Sequence, residues 1–182
     1  MLKIVSGKYR SREIAVPPSV TVPTKSIVRT GIGNALSEFV LGAKVLDLFA
    51  GSGALGIECL SRGASHCDFV DCSKEAVETI KGNLQKLKET RFSLFESPFD
   101  SFLNERSDGG YDIVLLDPPY KEKGFYVEAL HLLMEKGLLR SESALVLEYE
   151  GEAPEIDESL FYKVKEYRYG RTKVRICWRK NA

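Results

Sequence analysis

Between residues 44 and 117 short apolar or β-branched runs alternate with longer stretches whose apolar positions recur at helical spacing. Runs such as Val45-Leu46-Asp47-Leu48-Phe49 and Ile113-Val114-Leu115-Leu116 lack the polar alternation of a half-exposed strand, as expected for a parallel sheet covered on both faces. Strands are predicted at 44–49, 67–71, 92–96, 112–116 and 144–149. Helices are predicted at 54–61, 74–88, 99–105 and 125–136, with Ser73 as an N-cap. This rhythm of strand and crossover helix predicts an α/β fold. Ahead of it, Ile4-Val5 and Ile14-Ala15-Val16 flank the turn-rich segment 6–10 and predict a hairpin that Pro17-Pro18 and Pro23 bring to an end. A helix over 26–39 then leads into the first core strand. After the core, 161–169 and 172–179 alternate around Tyr169-Gly170-Arg171, which predicts a closing antiparallel hairpin.

Composition adds limits. The chain has 182 residues, 43% hydrophobic and 29% charged, an ordinary globular balance that excludes a disordered or collagen-like polymer. A domain of this size removes about 70% of its extended surface from water, so it needs no disulfide or metal as a staple. Cys59, Cys67, Cys72 and Cys177 are irregularly spaced, with no C-x-x-C pair, and are expected to be thiols in a reducing compartment. No metal site is predicted. There is no signal-like start and no apolar run near the roughly 20 residues that cross a bilayer, so a soluble cytoplasmic monomer with no membrane partner is expected.

Net charge is zero, but it is segregated. Residues 1–30 sum to plus five, residues 160–182 to plus seven, and the middle to minus twelve. A local basic surface binds a polyanion whatever the global sum, because each neutralised phosphate releases a counterion. The alternative is that these are solvated faces of two terminal elements.

The segment Asp47-Leu48-Phe49-Ala50-Gly51-Ser52-Gly53-Ala54-Leu55-Gly56 places G-x-G-x-x-G between a predicted strand and helix. Glycines there let the backbone turn tightly and approach a ligand, and the next helix offers free N–H groups. Asp71 ends the following strand, at the distance from the turn expected of a ribose-binding carboxylate. An adenosine-bearing cofactor is expected, held by Asp47, Phe49, Ala50, Gly51, Ser52, Gly53, Asp71 and Cys72. Asp47 bears on which cofactor. A carboxylate before the turn would repel the pyrophosphate of NAD but accept hydrogen bonds from the ammonium of S-adenosylmethionine. Its alternative role is to tie the turn to neighbouring backbone N–H groups.

Asp117-Pro118-Pro119-Tyr120 ends the fourth core strand, at the sheet edge where open α/β folds bind ligands. The chemistry suited to it is transfer to an exocyclic amine. Such a nitrogen is a poor nucleophile because its lone pair is delocalised. If the Asp117 carboxylate and the Pro118 carbonyl each accept one N–H, the lone pair is freed, and proline holds that carbonyl in place beforehand. Tyr120 would stack on the base.

These motifs, in this order behind a basic N-terminal segment, resemble the RsmD family of small-subunit ribosomal RNA guanine-N2 methyltransferases. The resemblance rests on Ser6-Gly7, Arg10-Ser11-Arg12, Pro23-Thr24, Val28-Arg29, residues 47–56, Asp71, Ser101-Phe102-Leu103, residues 117–120 and Tyr169-Gly170. It implies a Rossmann-like seven-stranded methyltransferase sheet with an N-terminal β-hairpin extension: residues 1–24 as the basic extension, 25–182 as the S-adenosylmethionine-dependent domain. The implied partner is 16S RNA in an assembled or assembling small subunit, met by Lys8, Arg10, Arg12, Lys25, Arg29 and Arg171. Three positions depart from the family pattern. Val22 and Gly33 replace an arginine and a phenylalanine. Pro98 stands where an acid or amide would read the adenine amine, leaving adenine to Pro98, the Phe99 N–H and apolar contacts, with Asp100 a misregistered substitute. Competing readings are an adenine-N6 or glutamine-N5 methyltransferase, an NAD-dependent oxidoreductase and a non-catalytic RNA-binding assembly factor. Against the oxidoreductase, neither His66 nor His131 makes a convincing hydride-site acid.

Overall fold

The computed structural model describes all residues except Thr21, Val22, Asp108, Tyr120, Lys121 and Ala182. A seven-stranded sheet holds β3 (Lys44–Asp47), β4 (His66–Asp71), β5 (Phe92–Glu96), β6 (Tyr111–Leu116), β7 (Leu139–Glu150), β8 (Phe161–Tyr169) and β9 (Thr172–Arg179), in the order β5-β4-β3-β6-β7-β9-β8. The first five are parallel, and β9 pairs antiparallel with both β7 and β8. Chain order reverses between β3 and β6, which is where a parallel sheet opens a crevice at its carboxyl edge.

Both faces are covered, as the unbroken apolar runs require. Val45, Ile113, Leu115 and Val146 join a first core with residues of α1 (Ser26–Leu36), α2 (Ala54–Ser61) and α3 (Lys74–Leu87). Leu46, Val114, Leu116, Leu145 and Leu147 point the other way, into a second core with α4 (Phe99–Asn104) and α5 (Gly124–Glu135). Ser73 caps α3, its hydroxyl accepting from the Ala76 N–H.

The sequence pattern misplaced several boundaries. The first strand ends at Asp47 because Leu48 and Phe49 already enter the glycine turn. The first helix stops at Leu36, where Ser37 takes a φ of 45° and a 3-10 turn carries the chain to Val40. The hairpin strands are β1 (Leu2–Lys3) and β2 (Glu13–Ile14), displaced from the expected 4–5 and 14–16. The reason is competition for backbone groups. The Val5 N–H donates to Glu58, the Lys8 N–H to the Ser61 carbonyl, and the Ala15 N–H to Asn83, so these residues pair with α2 and α3 and not with each other. Ile4, Tyr9 and Ile14 from this segment sit in the first core.

Candidate active site at the carboxyl edge of the sheet

A cavity of about 800 Å³ opens over the carboxyl ends of β3, β4, β6 and β7. One wall is the glycine turn. Gly51 and Gly53 take φ values of 58° and 79°, in the left-handed region that other residues avoid. The Gly51 N–H donates to Asp71 Oδ2 at 2.9 Å, and the Ser73 N–H to Asp71 Oδ1 at 2.9 Å. Asp71 therefore fixes the turn yet keeps lone pairs for a ligand. Asn83 locks the other side, donating to the Ser52 and Ala15 carbonyls. Gly56 serves packing: an added Cβ would lie 2.4 Å from the Phe69 ring.

Asp47 lies beneath the turn, 2% exposed, and accepts the Gly56 N–H at 3.0 Å. It ties down the turn, as one of its two readings held, and it also lines the cavity. Burial pushes its carboxyl up to about 7, the charges of Asp117 and Asp71 add to the rise, and the Gly56 N–H opposes it.

The opposite wall is acidic. The Thr24 hydroxyl lies 3.3 Å from Asp117 Oδ2 and 3.3 Å from Glu148 Oε2, so one short side chain bridges two carboxyls. Loss of hydration pushes Asp117 well above the usual carboxylate range, and the neighbouring Glu148 charge reinforces it. Burial raises Glu148 to about 7, against the hydrogen bonds of Thr24 and Asp117. Tyr126 holds the Glu148 backbone in place by donating to its carbonyl. Pro118 and Pro119 continue the wall, and the Glu122 N–H closes the turn onto the Pro119 carbonyl at 2.8 Å. Tyr120 lies outside the described residues.

Between the walls stands an aromatic floor. Phe49 and Phe99 have ring centroids 5.1 Å apart, Phe99 and Phe125 4.8 Å, and Phe49 stacks on Phe125 at 6.0 Å. Pro98, with its fixed φ, precedes α4, and Asp100 also lines the cavity. Ala50, Ser52, Gly51, Cys72 and Phe99 line it as well, so the expected cofactor set converges except that Gly53 supports the turn from behind.

The basic residues divide. Lys25 is exposed and lines the cavity, and Arg171 is exposed at the β8–β9 turn. Lys8, Arg10 and Arg12 are exposed too, but Lys8 is anchored at the last residue of α2, one helix length of about 12 Å from the turn. Arg12 donates to the Lys86 carbonyl. Arg29 does not belong to an RNA surface. It is 2% exposed, and its guanidinium bonds Glu58 at 2.7 Å, the Lys3 carbonyl at 2.9 Å and the Thr24 carbonyl at 3.2 Å. A cation on a helix near the N-terminus reads as surface, and only the fold reveals the acid opposite it. Of the three departures, Val22 lies outside the described residues, and Gly33 leaves room for Arg62, whose Cζ would sit 2.2 Å from an added Cβ.

Sequence reasoning missed Thr24 and Glu148 as site residues. For Glu148 a signal existed: one acid within the apolar run Ala144-Leu145-Val146-Leu147 and Tyr149, where a buried charge needs a purpose. For Thr24 the signal was its place in the Pro23-Thr24 pair that carries the family resemblance, which gave it no role at the site.

Comparison with known proteins finds relatives that match along most of the chain. A family model described as "Conserved hypothetical protein 95" matches residues 2–178. The chain is 37% identical over 181 residues to the Bacillus subtilis protein named "Putative rRNA methyltransferase YlbH", covering 96% of this chain and 97% of that one. It is 34% identical over 152 residues to "Ribosomal RNA small subunit methyltransferase D" of Escherichia coli strain K12, covering 83% and 76%. The solved structure "Putative methyltransferase yhhF from Escherichia coli" superposes with a TM-score of 0.88 at 30% identity, covering 100% of this chain and 99% of that one.

Proposed function

Because the chain belongs to the RsmD family of small-subunit ribosomal RNA methyltransferases, we propose that its own substrate is the exocyclic N2 amine of one guanine in 16S RNA. The RNA is met in an assembled or assembling subunit, in the cytoplasm, by a monomer. S-adenosylmethionine is the donor, and when bound it supplies a methyl group activated by a sulfonium charge.

The residues of the cavity fit that cofactor. The cradle at Gly51–Gly53 admits a close ligand, the free lone pairs of Asp71 suit ribose hydroxyls, and Asp47 offers an anion for an ammonium. Phe49, Phe99 and Phe125 offer a flat apolar surface for adenine, consistent with Pro98 in place of a polar side chain. Among the described residues lining the cavity one base, Lys25, stands against seven acids, a balance that disfavours a pyrophosphate.

The observation that carries the reading is the bridged acid pair, Asp117 and Glu148, facing the glycine cradle across the cavity. Two neighbouring acids in a dry wall disfavour each other's charge, and N–H donors brought by a ligand favour their ionised forms. Guanine presents three such hydrogens on one edge, on N1 and N2. Asp117 and the Pro118 carbonyl accept the two from N2, leaving the lone pair free to attack, and Glu148 accepts the one from N1. Adenine has no N1 hydrogen and would leave Glu148 unpaired, which costs specificity-scale energy of about 1–3 kcal/mol. The amine sheds a proton after methylation, and the raised Asp117 carboxylate is placed to take it. Positioning of this kind supplies up to about 7–11 kcal/mol of a transfer barrier.

The test is methyl transfer from labelled S-adenosylmethionine to small subunits lacking the modification, followed by mass mapping. One N2-methylguanine in 16S RNA is expected. Label on adenine or on protein, or none, would overturn the assignment.

A further inference from the structure

A second groove opens on the first-core face, between α1 and the edge strand β8. Ile27, Thr30, Gly31, Asn34 and Ala35 form one wall, and Tyr167 and Tyr169 the other. The side chains of β8 sort by face. Lys163, Lys165, Tyr167 and Tyr169 stand opposite Trp178, Ile176, Val174 and Thr172 of β9, and the first three of these partners belong to the first core. Tyr167 and Tyr169 pack on that core, and Lys163 Nζ lies 4.5 Å from the centre of the Trp178 ring. Val164 instead joins the second core, and Glu166 is held by Tyr149 of that core. The strand's period of two therefore lines up two lysines and two tyrosines on one face and keeps its single acid on the other.

The α1 wall carries no acid either, and Ile27 is 60% exposed. The groove starts at the rim of the active-site cavity. Lys25 lines that cavity two residues before Ile27, and Thr172, the ladder partner of Tyr169, lines it too. From there β8 leads away past Tyr167 to the exposed Lys165 and Lys163.

The geometry points to this groove as the track for single-stranded RNA flanking the target base, with Tyr167 and Tyr169 stacking on bases and Lys163 and Lys165 meeting phosphates. It rests on the RNA-methylation reading and adds where the rest of the substrate lies. Cations interleaved with aromatic faces are the chemistry of single-strand binding, since every base has a π-face. Alternate residues on a strand stand about 6.7 Å apart, about twice the rise per nucleotide of a stacked strand. The tyrosines thus suit splayed bases and not a duplex.

The test uses the full chain and reads RNA binding without methyl transfer, by anisotropy of a short labelled single strand across a salt series, with a duplex of equal length beside it. Tyr167→Ala is expected to weaken single-strand binding about tenfold. Lys163→Ala with Lys165→Ala, both exposed and safe for folding, is expected to flatten the salt slope by about 1.4. Arg168→Ala, on the opposite face of β8, removes a charge and is expected to leave the slope alone. With small subunits, the lysine pair should raise KM with little change in kcat. An equal loss from Arg168→Ala, an unchanged slope in the lysine pair, or wild-type preference for duplex overturns the proposal. So does a lysine pair that weakens subunit binding but not binding of protein-free RNA, which would mean a ribosomal protein occupies the groove. RNA binding without transfer by the wild type would sink the methylation reading and leave the groove standing; transfer with KM unmoved in the variants would do the reverse.

Discussion

Two clusters of charge lie in the body of this protein, and they are built on opposite rules. At Arg29 and Glu58 a cation meets an anion at 2.7 Å, with side chains 1% and 4% exposed, and backbone carbonyls of Lys3 and Thr24 take further guanidinium protons. At Asp117 and Glu148 two acids share a threonine hydroxyl and no cation answers them among the described residues. The first arrangement neutralises itself and ties the hairpin, α2 and the Thr24 segment together. The second keeps two acids of raised proton affinity at the wall of the cavity, where a ligand's N–H donors can reach them. The two are joined through one residue: Arg29 grips the Thr24 carbonyl while the Thr24 hydroxyl bridges the acids. The Arg29 cluster thus sets the position of the acid pair.

The contrast breaks most sharply at Arg29. Arg29→Ala should cost about 3–5 kcal/mol of stability, because Glu58 is left buried and unpaired, and chemical denaturation should show it as a shifted midpoint. Binding to RNA by the fraction that remains folded should hold; a loss there with stability intact would return Arg29 to the RNA surface. At the other cluster the losses should appear in turnover. Asp117→Ala is expected to lower kcat about 100- to 1,000-fold, with cofactor affinity by calorimetry nearly unchanged. Glu148→Gln should lower transfer to guanine about tenfold or more and raise the melting temperature, since it removes one of two repelling acids. If Glu148→Gln melts lower and transfers normally, the acid pair is structural and the comparison collapses.

Much of this was legible in the chain. The doubly covered strands, the glycine turn and the Asp117 corner follow from local patterns of apolar and turn residues, which neighbours in sequence determine. The Arg29–Glu58 pair spans 29 residues and the Thr24–Glu148 contact 124, and no local pattern encodes which side chains meet over such distances. Arg29 shows the direction of the resulting error. A cation near a basic terminus was read by its sequence neighbours, whereas its partner came from α2. The hairpin strands slipped for the same reason, their backbone groups being taken by Glu58, Ser61 and Asn83. The cue that was present, an acid inside the last apolar run, is interpretable only once that strand is known to end at the cavity.

Asp47 sharpens the contrast, because it has a foot in each class: it braces the turn through Gly56 and it faces the cavity. Its carboxyl is raised to about 7 in the fold from an ordinary value near 3.8. A group that binds its proton more tightly when folded stabilises the fold at low pH, and that advantage is lost as pH climbs from the unfolded value through the folded one. Asp47→Asn keeps an acceptor for the Gly56 N–H and removes the titration. The variant should therefore match the parent in melting temperature near pH 4 and exceed it by a few degrees above pH 7, while binding S-adenosylmethionine more weakly at the higher pH, where the parent's carboxylate is charged. A parallel shift at both pH values would mean that the residue stays ionised in the fold and that its burial is compensated by more than one backbone N–H. Unchanged cofactor affinity would assign Asp47 wholly to the turn, on the side of Arg29 and Glu58, and leave the ammonium to another acceptor in the cradle.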